Sequence, residues 1–308
     1  MPATPEAAET DTPAGARIGM PVLLALATVY LVWGSTYLGI KLALDGYPPF
    51  LMAGMRFLGA GVALYAWLRL RGTPAPTLAQ WRTTAIMGAL LLGGGNGLVC
   101  LAETTVSSGM AAIAVASMPL WAGLFGWWYG RNPNRREWLG LVIGFAGVLL
   151  LNLQGELRAT PGGALALMLA PVAWAFGSMW SRGKPLPSPF MSTAAQMLAG
   201  GVLMLLIGAV RGESLQSDPP LSATLALFYL SGFGSIAAFS AYVYLLDRVR
   251  PALATSYAYV NPPIAVLLGV LLLDERFTVA SSVAMAVILA GVVIITRARV
   301  TRAPARAR

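Results

Sequence analysis

Histidine is absent from the chain and cysteine occurs once, at Cys100. These two absences exclude histidine-based catalytic triads, histidine-ligated haem, most zinc sites and any internal disulfide. Charge is also scarce. Only 11% of the 308 residues are charged, whereas 57% are hydrophobic and the mean hydropathy is +0.70. A soluble domain is about 25% charged, so too few charges are present here to cover a soluble surface. Disorder is excluded outside the tails, because disordered segments are poor in apolar residues. The composition left is that of a membrane protein with many spans.

A spanning helix needs about 20 mostly apolar residues. Ten such runs are present, at 20–44, 49–70, 81–102, 108–129, 137–152, 162–181, 189–210, 221–245, 252–272 and 278–296. Charged or turn residues separate them, among them Asp45-Gly46, Arg71-Gly72-Thr73-Pro74, Gly183-Lys184-Pro185 and Asp274-Glu275-Arg276. The runs are continuous rather than alternating, so they predict helices and not barrel strands. The fold class expected is an all-α integral membrane protein with ten transmembrane helices.

Residues 1–19 are polar and acidic, with Glu6, Glu9 and Asp11, and read as a disordered tail rather than a signal peptide. Assigning alternate connections to opposite sides puts sixteen Lys and Arg on the side of the termini and three on the other, Arg158, Arg211 and Arg276. Lys41 and Arg56 fall inside runs. The positive-inside rule then places both termini in the cytoplasm. The net charge of +9 therefore borders the membrane, and no nucleic-acid partner is implied. Nineteen of the 21 cations are Arg, which suggests a GC-rich bacterial genome and an inner (plasma) membrane location.

The second half echoes the first at an offset of about 140–144 residues. Gly34-Ser35 matches Gly177-Ser178, Lys41 matches Lys184, and Pro49-Phe50 matches Pro189-Phe190. Leu58-Gly59-Ala60-Gly61-Val62 matches Leu198-Ala199-Gly200-Gly201-Val202, Pro119 matches Pro262, and Ala146-Gly147-Val148 matches Ala290-Gly291-Val292. Each unit has five spans. Five is odd, so the second unit enters from the opposite side, as in inverted-repeat secondary transporters. The organisation predicted is a cytoplasmic tail (1–19), a first five-helix repeat (20–155), an inverted second repeat (156–298) and a short basic tail (299–308).

Several motifs resemble those of the EamA-type permeases of the drug/metabolite transporter superfamily, in particular the bacterial YedA-like members. They are Trp33-Gly34-Ser35-Thr36-Tyr37, Met55-Arg56-Phe57-Leu58, Gly95-Asn96-Gly97, Ala102-Glu103, Ser108 to Leu120, Trp174 to Ser178, and Pro251 to Pro262. The resemblance covers about residues 20–298. It implies a central cavity between two inverted five-helix units and export or exchange of small metabolites.

Inverted repeats place a solute site near the midplane, where the units meet. Polar and kinked positions inside apolar helices are the pointers to it. Pro119 and Pro262 each remove a backbone donor and free a carbonyl one turn back. They either bend during switching or are simply tolerated, as proline is in membrane helices. Tyr257 and Asn261 share a helix face, and Asn261 needs a partner from another helix or from a ligand. Trp33, Ser35, Thr36 and Tyr37 lie in mid-span rather than in an interfacial belt, and Trp174 and Ser178 recur in the matching helix. These residues either pack or line the cavity. Asn96 sits among Gly93, Gly94, Gly95 and Gly97, a composition fit for close backbone approach or local unwinding.

Lys41, Arg56 and Glu103 are charges within or at the edge of spans. An intramembrane charge is costly and marks function by default. The pairing expected is Arg56 with Glu103, either as a gate that breaks or as a static ion pair, with Asp45 as a local partner for Lys41. Glu103 is also the one acid placed to carry a proton. No fixed charge is expected at mid-membrane, which favours neutral, zwitterionic or amphipathic solutes such as amino acids or drugs. The function expected is a secondary transporter. A channel or facilitator is the alternative, and an intramembrane enzyme lacks a nucleophile–base pair. No cofactor or metal is expected. The partners are a small solute and the bilayer, with the chain acting as a monomer or a homodimer.

Overall fold

In a computed structural model, the structure describes residues 19–130, 134–153, 161–215, 217–248, 257–276 and 278–300. Both tails, the expected start of the ninth run at Ala252, and Pro251 to Ser256 lie outside the described residues. Ten helical rods are described: α1 Met20–Leu44, α2 Pro49–Leu70, α3 Leu78–Glu103, α4 Ser108–Trp128, α5 Arg135–Leu153, α6 Pro161–Trp180, α7 Pro189–Val210, α8 (221–248), α9 Tyr257–Leu273 and α10 Val279–Val300. The connections α1–α2, α3–α4, α7–α8 and α9–α10 gather on one side, here the distal side. The opposite, proximal side carries α2–α3 and α6–α7.

Local sequence explains the ends. Pro49 and Pro189 open α2 and α7 at N1, where a missing N–H costs nothing. Thr77 and Gln80 form a capping box on α3, and Ser107 accepts from Met110 N on α4. Asn134 and Glu137 bond one another's backbone N–H at the start of α5. Gly72 and Gly212 close the equivalent helices α2 and α7 with φ of 80° and 73°, the left-handed turn that glycine adopts without strain. Leu31, Val142, Leu165, Phe228 and Val283 are among many large apolar side chains left exposed. In a soluble protein so much exposed apolar surface would aggregate, whereas here it is the face turned to lipid.

The core is built between the repeats rather than within them. The largest interfaces are α2 with α7 and α5 with α10, which are equivalent helices of the two repeats. The pairing of α1 with α9 and α8 is mirrored by that of α6 with α4 and α3. Bare backbone makes this possible. A Cβ on Gly201 would sit 2.6 Å from Leu58 N, and one on Gly61 would sit 2.9 Å from Leu198 N. On the α5–α10 seam a Cβ on Gly147 would meet Ile288 N at 2.8 Å.

Two irregularities sit at matching places. In α3 the stretch Gly88–Gly97 winds in π register, and in α8 the stretch Leu230–Ala237 does the same. The glycines around Asn96 point to the first. The second went unpredicted, because Gly232 and Gly234 are diluted by larger residues. The proline reading needs a correction. Pro119 does not kink one continuous helix: α4 breaks at Ala116-Ser117, and Pro119 lies in the first turn of the resumed segment Met118–Trp128, where it needs no donor. Pro262 instead lies inside the unbroken α9.

Gly201→Val should therefore destabilise the protein by about 1–3 kcal/mol through overpacking. Gly59→Val, at a position with nothing within 4 Å of a Cβ, should leave it near the parent value. Unfolding midpoints in detergent distinguish the two.

Candidate functional site

A cavity lies at the centre, walled by α1, α2, α3, α4, α6, α8 and α9, and so by both repeats. It gives the centres of water-sized molecules about 80 Å³. Of the residues singled out from sequence, Trp33, Thr36, Tyr37, Arg56, Asn96, Trp174, Tyr257, Asn261 and Pro262 stand in its wall. Ser35, Ser178, Lys41, Glu103 and Pro119 do not. The Ser35 hydroxyl is hydrogen-bonded to the Tyr229 hydroxyl at 2.6 Å. Ser178 Oγ donates to the Trp174 carbonyl of its own helix at 2.8 Å.

Trp33 organises the aromatic part of the wall. Its ring meets Phe239 and Tyr257 edge to face, with centroids 5.2 and 4.9 Å apart. Its Nε1–H donates to the Gly234 carbonyl at 3.1 Å, which satisfies the indole and ties α1 to the π segment of α8. Trp174 enters from α6 over Gly95, where a Cβ would lie 2.8 Å from its ring. Glycine at that position is what admits the tryptophan.

The charges are arranged differently from the sequence-based expectation. Arg56 does not pair with Glu103. Its Nε–H donates to Ser235 Oγ on α8 at 2.9 Å, and its guanidinium lies 4.6 Å from the Phe57 ring centroid. The side chain is drawn to α8 because Gly234 leaves room there: a Cβ on Gly234 would lie 3.0 Å from Arg56 Nη2. Arg56 is 3% exposed, yet its Nη1 has no hydrogen-bond partner. The expectation of a cavity without fixed charge is thereby corrected. Seven residues past Pro49, Arg56 lies about 10 Å along α2, and its packing turns it into the wall. Lys41 does not bond Asp45 either. Its ammonium donates to the carbonyls of Glu103 (2.7 Å) and Val106 (3.4 Å), capping the end of α3 where helix carbonyls lack partners.

Among the described residues, three buried side chains hold polar atoms without partners: Arg56 Nη1, Asn261 Oδ1 and both oxygens of Glu103. The first two belong to the cavity wall. Nη1 is a donor and Oδ1 an acceptor. Sequence reading missed Ser235, Tyr229 and Phe239, since a serine or an aromatic in an apolar helix carries no positional signal of its own. Among the described residues no group of three His, Cys, Asp or Glu side chains is placed to hold a metal ion.

Replacing Ser235 by Ala would leave Arg56 Nε buried without a partner. A lost partner of this kind costs about 1–3 kcal/mol. Ser235→Ala should lower the unfolding midpoint accordingly, while Ser178→Ala, which removes only a bond within one helix, should change it little.

The family model for the EamA-like transporter family matches residues 20–153 and again 161–297. The inner membrane transporter YedA of Escherichia coli K12, described as uncharacterized, is 44% identical over 278 residues, spanning 90% of this chain and 91% of its own length. The transporter YdfC of Bacillus subtilis, described in the same way, is 26% identical over 88% of this chain and 89% of its own. One crystal structure superposes with a TM-score of 0.62 at 24% identity, covering 92% of this chain and 99% of that one, and it supports the fold alone. Two family matches in tandem, five described helices within each, and the identity to YedA place this chain in the EamA-like transporter family, as a ten-helix membrane protein of two inverted repeats.

Proposed function

We infer that the chain is a secondary transporter that exports or exchanges small zwitterionic or amphipathic metabolites, amino acids foremost, by alternating access. The observation that carries this reading is the pair of unpartnered wall atoms, Arg56 Nη1 and Asn261 Oδ1. A buried donor and a buried acceptor left open are costly, and a ligand that brings a carboxylate and an ammonium offsets both costs. Arginine suits a carboxylate because its hydrogen bonds are charge-assisted. The rings of Trp33, Tyr37, Trp174 and Tyr257 favour an apolar or aromatic remainder. Drug-like amines share only the aromatic half of this recognition.

Alternating access is supported by the construction of the cavity from two oppositely threaded repeats. The relative YedA is described as an inner membrane transporter, and the excess of Arg and Lys on the side of the termini supports a cytoplasmic location for them. The distal side is then the periplasmic side of a bacterial inner membrane.

Proteoliposomes preloaded with single amino acids test this reading. Saturable counterflow is expected for at least one of them. Arg56→Gln should weaken its half-saturation about 10–100-fold, the equivalent of a charge-assisted hydrogen bond of roughly 1.5–3 kcal/mol. Asn261→Ala should weaken it about tenfold. Ohmic conductance without counterflow would make the protein a channel. Unchanged half-saturation in both variants would remove Arg56 and Asn261 from the binding site.

A further inference from the structure

Two acidic side chains on the distal side reach from the second repeat to helix N-termini of the first. Glu213, just past α7, accepts from Phe50 N (3.0 Å) and Leu51 N (2.9 Å) of α2. It also lies 3.7 Å from Arg211. Glu275, just past α9, accepts from Ser108 N (2.7 Å), Ser108 Oγ (2.9 Å) and Gly109 N (3.2 Å) of α4. The first N–H groups of a helix have no partner within it, and the helix dipole favours an anion there. Both acids are presented alike. Each backbone N–H bonds back to a glycine carbonyl, Glu213 N to Gly208 O at 2.9 Å and Glu275 N to Gly269 O at 3.1 Å. Gly208 and Gly269 have no side chain to obstruct the returning carboxylates.

The two contacts differ in what they join. Helices α2 and α7 pack along their length with backbones in close approach, so Glu213 fastens a seam that is already rigid. Helices α4 and α9 both line the cavity. The segment Ser108–Val115 is one short helix, separated from the rest of α4 by the break at Ala116-Ser117. Glu275 holds the free end of that segment, and Ala112 and Val115 on the same segment face the cavity.

We propose that Ser108–Val115 is the distal gate of the cavity, hinged at Ala116-Ser117, and that Glu275 is the latch that keeps it shut. Glu213 is a fixed brace. The gate opens when the carboxylate leaves the N-terminus of α4. The proposal depends on the transporter reading for its purpose but not for its observation.

The test uses the full chain with Cys100→Ser, reconstituted in liposomes without solute. Spin labels at Thr104 and Val279, both exposed, report the distal opening. An impermeant maleimide applied to the distal side reports access to Val115→Cys. In the parent, one short distance and slow labelling are expected. Glu275→Gln should add a longer distance and speed labelling about tenfold, and Ser108→Ala, which removes one of the three bonds, should do so less. Glu213→Gln should lower the unfolding midpoint and leave both readouts unchanged. Parent-like distances and labelling in both Glu275→Gln and Ser108→Ala would overturn the latch, as would an equal response to Glu213→Gln. A clear response to Glu275→Gln in a protein that shows no counterflow of any solute would keep the latch and defeat the transporter reading.

Discussion

The structure depends on close approach of bare backbone across the boundary between its two halves. Lipid gives apolar helices no hydrophobic reason to associate, so packing must come from contact at short range. Gly54 and Gly61 on α2, Gly201 on α7, Gly147 on α5 and Gly291 on α10 supply it, because a side chain at any of them would run into main-chain atoms of the facing helix. The equivalent helices α2 and α7, and α5 and α10, thus meet each other rather than their own neighbours. Neither repeat buries its own core, and the inverted duplication is realised as an interlocked pair.

The cavity follows from that arrangement. With α2–α7 and α5–α10 bound along their lengths, the other helices close with α2 around the centre, and three contacts of the wall join the two repeats. Trp33 of the first bonds Gly234 of the second, Arg56 bonds Ser235, and Trp174 of the second rests on Gly95 of the first. The π-wound stretches of α3 and α8 lie at these crossings, where an extra residue per turn re-aims side chains. The cost of burying a guanidinium is only partly offset, by one hydrogen bond and one ring. The open Nη1 of Arg56 and the open Oδ1 of Asn261, both on residues of the wall, give the cavity a polarity that its aromatic walls alone would lack.

Much of this was legible in the amino-acid sequence because the bilayer imposes long-range rules. Run length yields the helices, the placement of Arg yields the sidedness expected, and the duplicated strings Leu58–Val62 and Leu198–Val202 contain Gly61 and Gly201 of the α2–α7 seam. What was hidden depends on azimuth. A membrane helix that is apolar all round has little amphipathic signal, so spacing could not tell that Arg56 faces Ser235 rather than Glu103, or that Ser35 and Ser178 are taken up by other groups while Thr36 faces the cavity. Pro119 was misread for a related reason: proline marks an irregularity, but whether it kinks a helix or begins one depends on the break at Ala116-Ser117, to which Ser117 contributes a buried hydroxyl bonded to Ala114 O. The Glu213 and Glu275 contacts were also out of reach, since nothing local links an acid after one helix to the first turn of another.

The central claim is that the two halves thread the membrane in opposite senses. Ala75 and Leu215 are exposed residues at equivalent places, one after α2 and one after α7. Single cysteines there, in a Cys100→Ser background, can be challenged in intact cells with an impermeant thiol reagent. The account predicts that Leu215→Cys labels from outside and that Ala75→Cys labels only after permeabilisation. Labelling of both from the same side would contradict it.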